Sequence, residues 1–266
     1  MRKTTIAELT NALISAKYLA EDLEVQAAEK DARIEELEEE NLSLRETIVG
    51  LQDRSQEGGE DEKLSRLVQR KMTTLFTSDL HFYHKAVIAH CNRPYGNVEE
   101  MNEALIKNWN KTVSPKDTIY ILGDFSFGNK ENTVALLGVL NGRKHLVSGN
   151  HDAGMLKKKE FLACFESVKP LSRVKIEDKE HPDGVQAIVL CHYALRVWEK
   201  SHYGAWHLYG HSHGSLEDLG NLSLDVGVDN AYKLLGEYRP FTFEELRAIM
   251  QKRNWQPVDH HDTYKG

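Results

Sequence analysis

The sequence predicts an α/β fold, a layered sandwich of parallel and antiparallel strands preceded by an α-helical coiled coil. Three observations predict it. Apolar residues recur at heptad spacing from Ile6 to Leu51, and from Met72 onward short apolar runs alternate with helix-patterned segments. Five of those later runs end in a turn that carries Asp, Asn or His.

In the first segment Ile6, Leu13, Ala20, Ala27, Ile34, Asn41 and Ile48 fall at heptad position a, and Leu9, Ala16, Leu23, Lys30, Leu37, Leu44 and Leu51 at d. A stripe this narrow suits a seam between helices better than the broader face of a helix lying on a core. Asn41 at an a position favours a two-stranded parallel pairing, because each amide can find its twin across the axis. The expectation is a homo-oligomer, a dimer first, assembled through residues 6–51. The alternative is a single amphipathic helix folded back onto the globular part. Residues 1–51 thus form the coil and 52–71 an acidic linker containing Glu57-Gly58-Gly59-Glu60-Asp61-Glu62, while 72–251 form the globular domain. The tail, 252–266, carries His260-His261, expected to face solvent.

Within the globular domain Thr73 to Thr77 reads as a first core strand. Asn97 with Glu100 three residues on has the pattern of a capping box opening a helix to about Asn108. Thr118 to Leu122 is a strand, Glu131 to Leu140 a helix stopped by Asn141-Gly142, and Lys144 to Ser148 a further strand, which makes two consecutive βα units. Phe161 to Val168 reads as helical. Leu171 to Ile176 and Val185 to Cys191, joined by Pro182-Asp183-Gly184, read as an antiparallel hairpin. Trp206 to Tyr209 and Leu222 to Val228 give two more strands, and Thr242 caps a closing helix to about Gln251.

The net charge of -7 is unevenly placed. Residues 1–63 hold 17 acids and 8 bases, leaving 24 acids and 26 bases for the rest. A nearly neutral domain has no electrostatic reason to grip long nucleic acid, which demands that many phosphates be neutralised. Cys91, Cys164 and Cys191 are odd in number and lack C-x-x-C spacing, which argues against a disulfide framework or a thiolate zinc site. With no stretch apolar enough to cross a bilayer, and no signal-peptide core at the N-terminus, a cytoplasmic protein without a membrane partner is expected.

The chemistry gathers at the strand ends: Asp79-Leu80-His81, Gly123-Asp124, Gly149-Asn150-His151-Asp152, His192 after Cys191, and Gly210-His211-Ser212-His213. Taken singly each has a plain reading. His192 could be a buried histidine satisfied by a carbonyl, Asp124 a helix cap, and His211 to His213 a surface turn. If the chain is extended there, Asp79 and His81, like His211 and His213, reach one centre together. The donors are nitrogen and oxygen with no thiolate, a set suited to Mn²⁺, Fe or Zn²⁺ in a catalytic rather than structural site.

This ordered set resembles the calcineurin-like metallophosphoesterase superfamily over roughly residues 73–250, and within it the small prokaryotic-type predicted phosphohydrolases. Gly123-Asp124 continues as Phe125-Ser126-Phe127-Gly128, without the second acid and arginine of the Ser/Thr protein phosphatase branch. The resemblance implies a four-layer α/β/β/α sandwich and two divalent metal ions, Mn²⁺ first, with Fe, Zn²⁺ or Ni²⁺ as alternatives. One ion would take Asp79, His81, Asp124 and His213, and the other Asp124, Asn150, His192 and His211. A metal-bridging hydroxide would attack a small phosphoester, a nucleotide among the candidates, in a phosphatase or phosphodiesterase reaction. His151 would be the general acid or a donor to a phosphoryl oxygen, Asp124 the bridging carboxylate, and Asn150 a further substrate contact. Arg93 is a candidate phosphate clamp, since guanidinium suits bidentate phosphate contacts. His84, Asp225 and Asp229 are supporting candidates only. Two rival functions stand beside this one: an SbcD-type nuclease, and a non-catalytic scaffold that uses the domain to bind.

Overall fold

The computed structural model describes residues 72–253. The expected coil, its oligomeric partner, the linker up to residue 71 and the tail from 254 lie outside the described residues. Strands β1 (Thr74–Thr77), β2 (Thr118–Ile121), β3 (Arg143–Val147) and β4 (Ser167–Lys169) run parallel, and β9 (Phe241–Thr242) closes the sheet antiparallel to β1, in the order β4-β3-β2-β1-β9. A second sheet has the order β5-β6-β7-β8, formed by β5 (Leu171–Glu177), β6 (Val185–Cys191), β7 (Trp206–Tyr209) and β8 (Ser223–Asp225). Here β5 and β6 form the expected antiparallel hairpin, while β6, β7 and β8 run parallel.

Alternation along the strands sorts the core into layers. Leu75, Ile119, Ile121 and Leu146 pack on one face of the first sheet against Met101, Leu105 and Trp109 of α2 (Val98–Thr112) and Leu136 and Leu137 of α3 (Lys130–Val139). Phe76 and Val147, on the opposite face, join Ile188, Leu190, Leu208 and Leu224 of the second sheet. That shared layer also takes in Phe243, Leu246 and Met250 of the closing helix α6 (Phe243–Met250). On its far side the second sheet places Val189 against Trp198 and Ala205. Helix starts follow the sequence: Asn97 accepts the Glu100 N–H at 2.8 Å, and Thr242 with Glu245 forms a complete capping box.

Two expectations are corrected, and one helix is added. The helix expected over Phe161 to Val168 is a single turn, α4 (Lys159–Leu162), because the next residues pair as β4 with the free edge of β3. The strand expected over Leu222 to Val228 stops at Asp225. From Val228 the chain coils into α5 (Val228–Leu235), entered through Gly227 with no side-chain cap to announce it. A short helix, α1 (Lys85–His90), follows the first strand's loop. No helix among the described residues is long and apolar enough to cross a membrane.

Candidate metal centre

Every expected ligand lies in a loop that leaves the carboxyl end of a parallel strand, where open α/β sheets place ligands. Asp79 and His81 follow β1, Asp124 follows β2, and Asn150 to Asp152 follow β3; His192 follows β6, and His211 and His213 follow β7. The two sheets meet at this end, where Ser78 pairs with Gly227 and accepts the Val228 N–H at 3.1 Å.

The reach of these side chains does not come from extended backbone, as spacing alone suggested. Asp79, His81, Asp124, His211 and His213 all have φ between 49° and 68°, in the left-handed region. Such conformers are uncommon for residues with a Cβ, though less so for Asp and His, and they cluster at functional sites. Gly123, at φ 90°, is enforced by crowding as well as by conformation, since a Cβ there would stand 2.6 Å from the Gly149 backbone and 2.7 Å from His192 Nδ1.

Three histidines have one ring nitrogen anchored and the other turned inward. His192 Nδ1 donates to the Leu122 carbonyl at 2.7 Å, and its Nε2 stands 3.5 Å from Asp124 Oδ2 and 2.9 Å from Asn150 Oδ1. His213 Nδ1 donates to Asp229 Oδ2 at 2.6 Å, and its Nε2 faces Asp79 Oδ1 at 3.9 Å. His81 Nδ1 contacts His84 Nδ1 at 3.2 Å, which leaves its Nε2 3.7 Å from Asp124 Oδ2 and 3.8 Å from Asp79 Oδ1. His211 differs, since its Nδ1 faces Asn150 Oδ1 at 3.0 Å and its backbone N–H donates to Asp79 Oδ2 at 2.8 Å. Holding one nitrogen by a carbonyl or carboxylate while the other points at a common centre is how proteins orient metal-ligating imidazoles.

The inward atoms fit cations better than one another. Asp79 Oδ1 and His81 Nε2 are buried without a hydrogen-bond partner. Leaving such groups unpaired is costly. Their gaps of 3.7 to 3.9 Å are too long for hydrogen bonds. Ligand atoms that share one cation at about 2.1 Å sit roughly 3 to 4 Å apart. Asp79, His81 and His213 offer one such group of atoms within 4.8 Å of each other, and Asp124, His192 and His211 a second.

The charges are tuned by this crowding. Burial would raise Asp124, but its contact with His192 and the His151 N–H hold it down at about 2. Burial likewise pulls His213 down and is outweighed by the Asp229 carboxylate, Cys91 and Asp79, so that this imidazole rises to about 10. For His192, burial is again overcome, by Asp124, Asp79 and the Leu122 carbonyl, and the net shift is upward. At His81 burial wins instead, and its imidazole is pushed down despite Asp79 and Asp124 beside it.

Asp152 clasps two turns at once, its buried carboxylate accepting the N–H groups of Gly149 at 2.7 Å, Asp124 at 3.1 Å and Phe125 at 3.2 Å. His151 stands at the edge, its imidazole nearly half exposed and 4.0 Å from Asp124 Oδ2, with its own N–H bound to Asp124 Oδ1 at 2.9 Å. His84 stacks on Phe127 at 3.9 Å and 12° while touching His81, which is a supporting place beside the cluster.

Arg93 is not a phosphate clamp. Its guanidinium is buried and fully committed, with Nε and Nη2 on the two Asp229 oxygens at 2.9 Å, Nη2 also on the Asp79 carbonyl and Nη1 on the Leu80 carbonyl and Met101 Sδ. It fixes the Asp79 turn and the carboxylate behind His213. Sequence reasoning also passed over Cys91, whose Sγ lies 3.3 Å from His213 Nδ1. The signals were thin, because Arg93 precedes a proline in an apparent surface loop and its partner is 136 residues away.

Above the cluster opens a cleft of about 910 Å³, lined by His81, His84, His151, His211 and His213 at its base and by α1 and α5 along its walls.

A family model described as calcineurin-like phosphoesterase matches residues 72–262. An uncharacterized protein of Methanocaldococcus jannaschii is 51% identical over 77 residues, 28% of this chain and 44% of that protein, so the chain spans less than half of this relative's length. The gene 66 protein of Mycobacterium phage L5 is 28% identical over 179 residues, 59% of this chain and 86% of that one. Among solved structures, a protein of unknown function from Aquifex aeolicus is similar with a TM-score of 0.51 and 25% identity, covering 67% of this chain and all of its own.

Proposed function

Since the chain belongs to the calcineurin-like phosphoesterase family, we propose that it hydrolyses a small phosphoester with two divalent metal ions, Mn²⁺ first. The observation that supports this reading is the convergence of seven donor side chains from both sheets, with Asp79 Oδ1 and His81 Nε2 buried and unpaired between them. Asp79, His81, Asp124 and His213 would hold one ion, and Asp124, Asn150, His192 and His211 the other. Bound there, such ions supply Lewis-acid charge and lower the pKa of water.

The chain's own groups do the rest. Asp124, held ionised, lies between the two donor sets and fixes their separation. Water adds to phosphorus as the ester P–O bond breaks, and the departing oxygen takes a proton from His151, whose half-exposed ring stands at the cluster's rim and belongs to neither donor set. Asn150 Oδ1 sits between His192 and His211 and positions that pair.

The test strips the chain of metal, reloads it with Mn²⁺ and offers a phosphomonoester, a phosphodiester, a cyclic nucleotide and single-stranded DNA. Turnover of small esters but not DNA supports the proposal. DNA degradation would favour a nuclease, and metal binding with no turnover a binding module. We also propose that residues 6–51 make the chain a dimer. Light scattering of the full chain should give twice the chain mass, and a monomer mass overturns it.

A further inference from the structure

Helix α5 brings more than Asp229 to the cluster. Tyr232 and Lys233, three and four residues on, share a helix face with Asp229 about one turn further out, and both line the cleft. Tyr232 is 44% exposed, while the ring it stacks on, Tyr238, is buried. Their centroids are 4.5 Å apart and the planes 12° from parallel, so one face of Tyr232 is covered and the other is left to the cleft. Tyr238 is fixed in turn by Tyr95 at 5.6 Å and by the Arg93 guanidinium at 6.0 Å, the same guanidinium that braces Asp79 and Asp229. Lys233 Nζ donates to the Gly214 carbonyl at 2.6 Å, which sets its ammonium beside the His213 turn.

A part-exposed aromatic ring, one helical turn from the Asp229 that braces His213, with an ammonium next to it, matches the layout of a nucleotide. We infer that the substrate is a nucleotide whose base stacks on Tyr232 and whose sugar and phosphate run past Lys233 to the metal cluster. This rests on the phosphoester reading above and adds the class of the organic group. The two other exposed rings near the cluster are spent on its histidines, Phe127 stacking on His84 and Tyr193 standing edge-on to His211, whereas Tyr232 stacks on Tyr238 and lines the cleft.

The experiment compares two non-hydrolysable ligands on the full chain reloaded with Mn²⁺: the 5′-methylenephosphonate analogue of adenosine monophosphate, and the same phosphonate of ribose without a base. By titration calorimetry the base-bearing ligand should bind roughly ten-fold or more tightly, as base–aromatic stacking requires. In Tyr232→Ala and in Tyr232→Leu, which keeps apolar bulk without a π face, that ratio should fall to within about two-fold of one, and Tyr232→Phe should restore it. Equal affinities in the unaltered chain, or a ratio that survives Tyr232→Leu, overturn the inference. Failure of the hydrolase reading would show separately, as absent turnover with the binding preference intact.

Discussion

On the Asp79 side of the cluster the candidate ligands are braced by side chains, whereas on the Asn150 side they are braced by the main chain. His213 rests on Asp229, Asp229 on Arg93, and Arg93 on the Asp79 and Leu80 carbonyls, a buried charged relay that spans both sheets. His192 rests instead on the Leu122 carbonyl, and the Asp124 and Gly149 turns are tied by N–H groups converging on Asp152, with glycines pressed together where no Cβ fits. The first side should therefore respond to distant charge substitutions and to pH, and the second to changes that add volume at the backbone.

The largest effect is expected where the two sides meet. Asp124→Asn removes the charge that both donor sets share and should lower kcat on the order of 10³-fold, with metal content measured alongside. Arg93→Leu strands the Asp229 carboxylate in a buried site. It should cost about 3 to 5 kcal/mol in urea unfolding, and weaken metal binding at the His213 side by roughly 10- to 100-fold. If the protein unfolds no more easily, the relay is not what holds that side. Gly123→Ala forces a Cβ against Gly149 at a positive φ and should cost about 1 to 3 kcal/mol, with loss of the Asn150-side metal first; equal loss from both sides would erase the contrast.

The smallest effect separates the sides by pH. His213 is held at about 10, above its ordinary 6.5, by Asp229, so the metal-free folded chain keeps a proton that the unfolded chain gives up. That contribution is complete below about pH 6.5 and disappears as pH rises to about 10. The thermal midpoint in chelator should decline across that window, and Asp229→Asn should flatten the decline. An unchanged slope in Asp229→Asn would place the titration elsewhere.

Much of this was legible in the residues. The strand-end positions of the candidate ligands could be read because each follows an apolar run, and strand ends are where parallel sheets expose polar turns. What could not be read was conformation: Asp and His give no outward sign that they will sit at positive φ, and only the neighbouring Gly123 and Gly210 hint at the crowding. Arg93 was misjudged because Asn92-Arg93-Pro94 looks like a surface loop, and nothing local reveals a partner on α5. Helix α5 itself was hidden by the apolar run from Leu222 to Val228, which has a strand's composition up to the point where Gly227 turns the chain. Without that helix, neither Tyr232 nor Lys233 could be placed near the cluster.

The pairing of Ser78 with Gly227 ties the mouths of the two sheets together where donor atoms from both converge. Pulling the layers apart would scatter those donors, so an ion that recognises only the assembled set opposes delamination by mass action. At a hundred times its dissociation constant such an ion adds about 2.7 kcal/mol to the free energy of unfolding. The abundance of the metal in its surroundings thereby becomes a determinant of how long this chain survives folded.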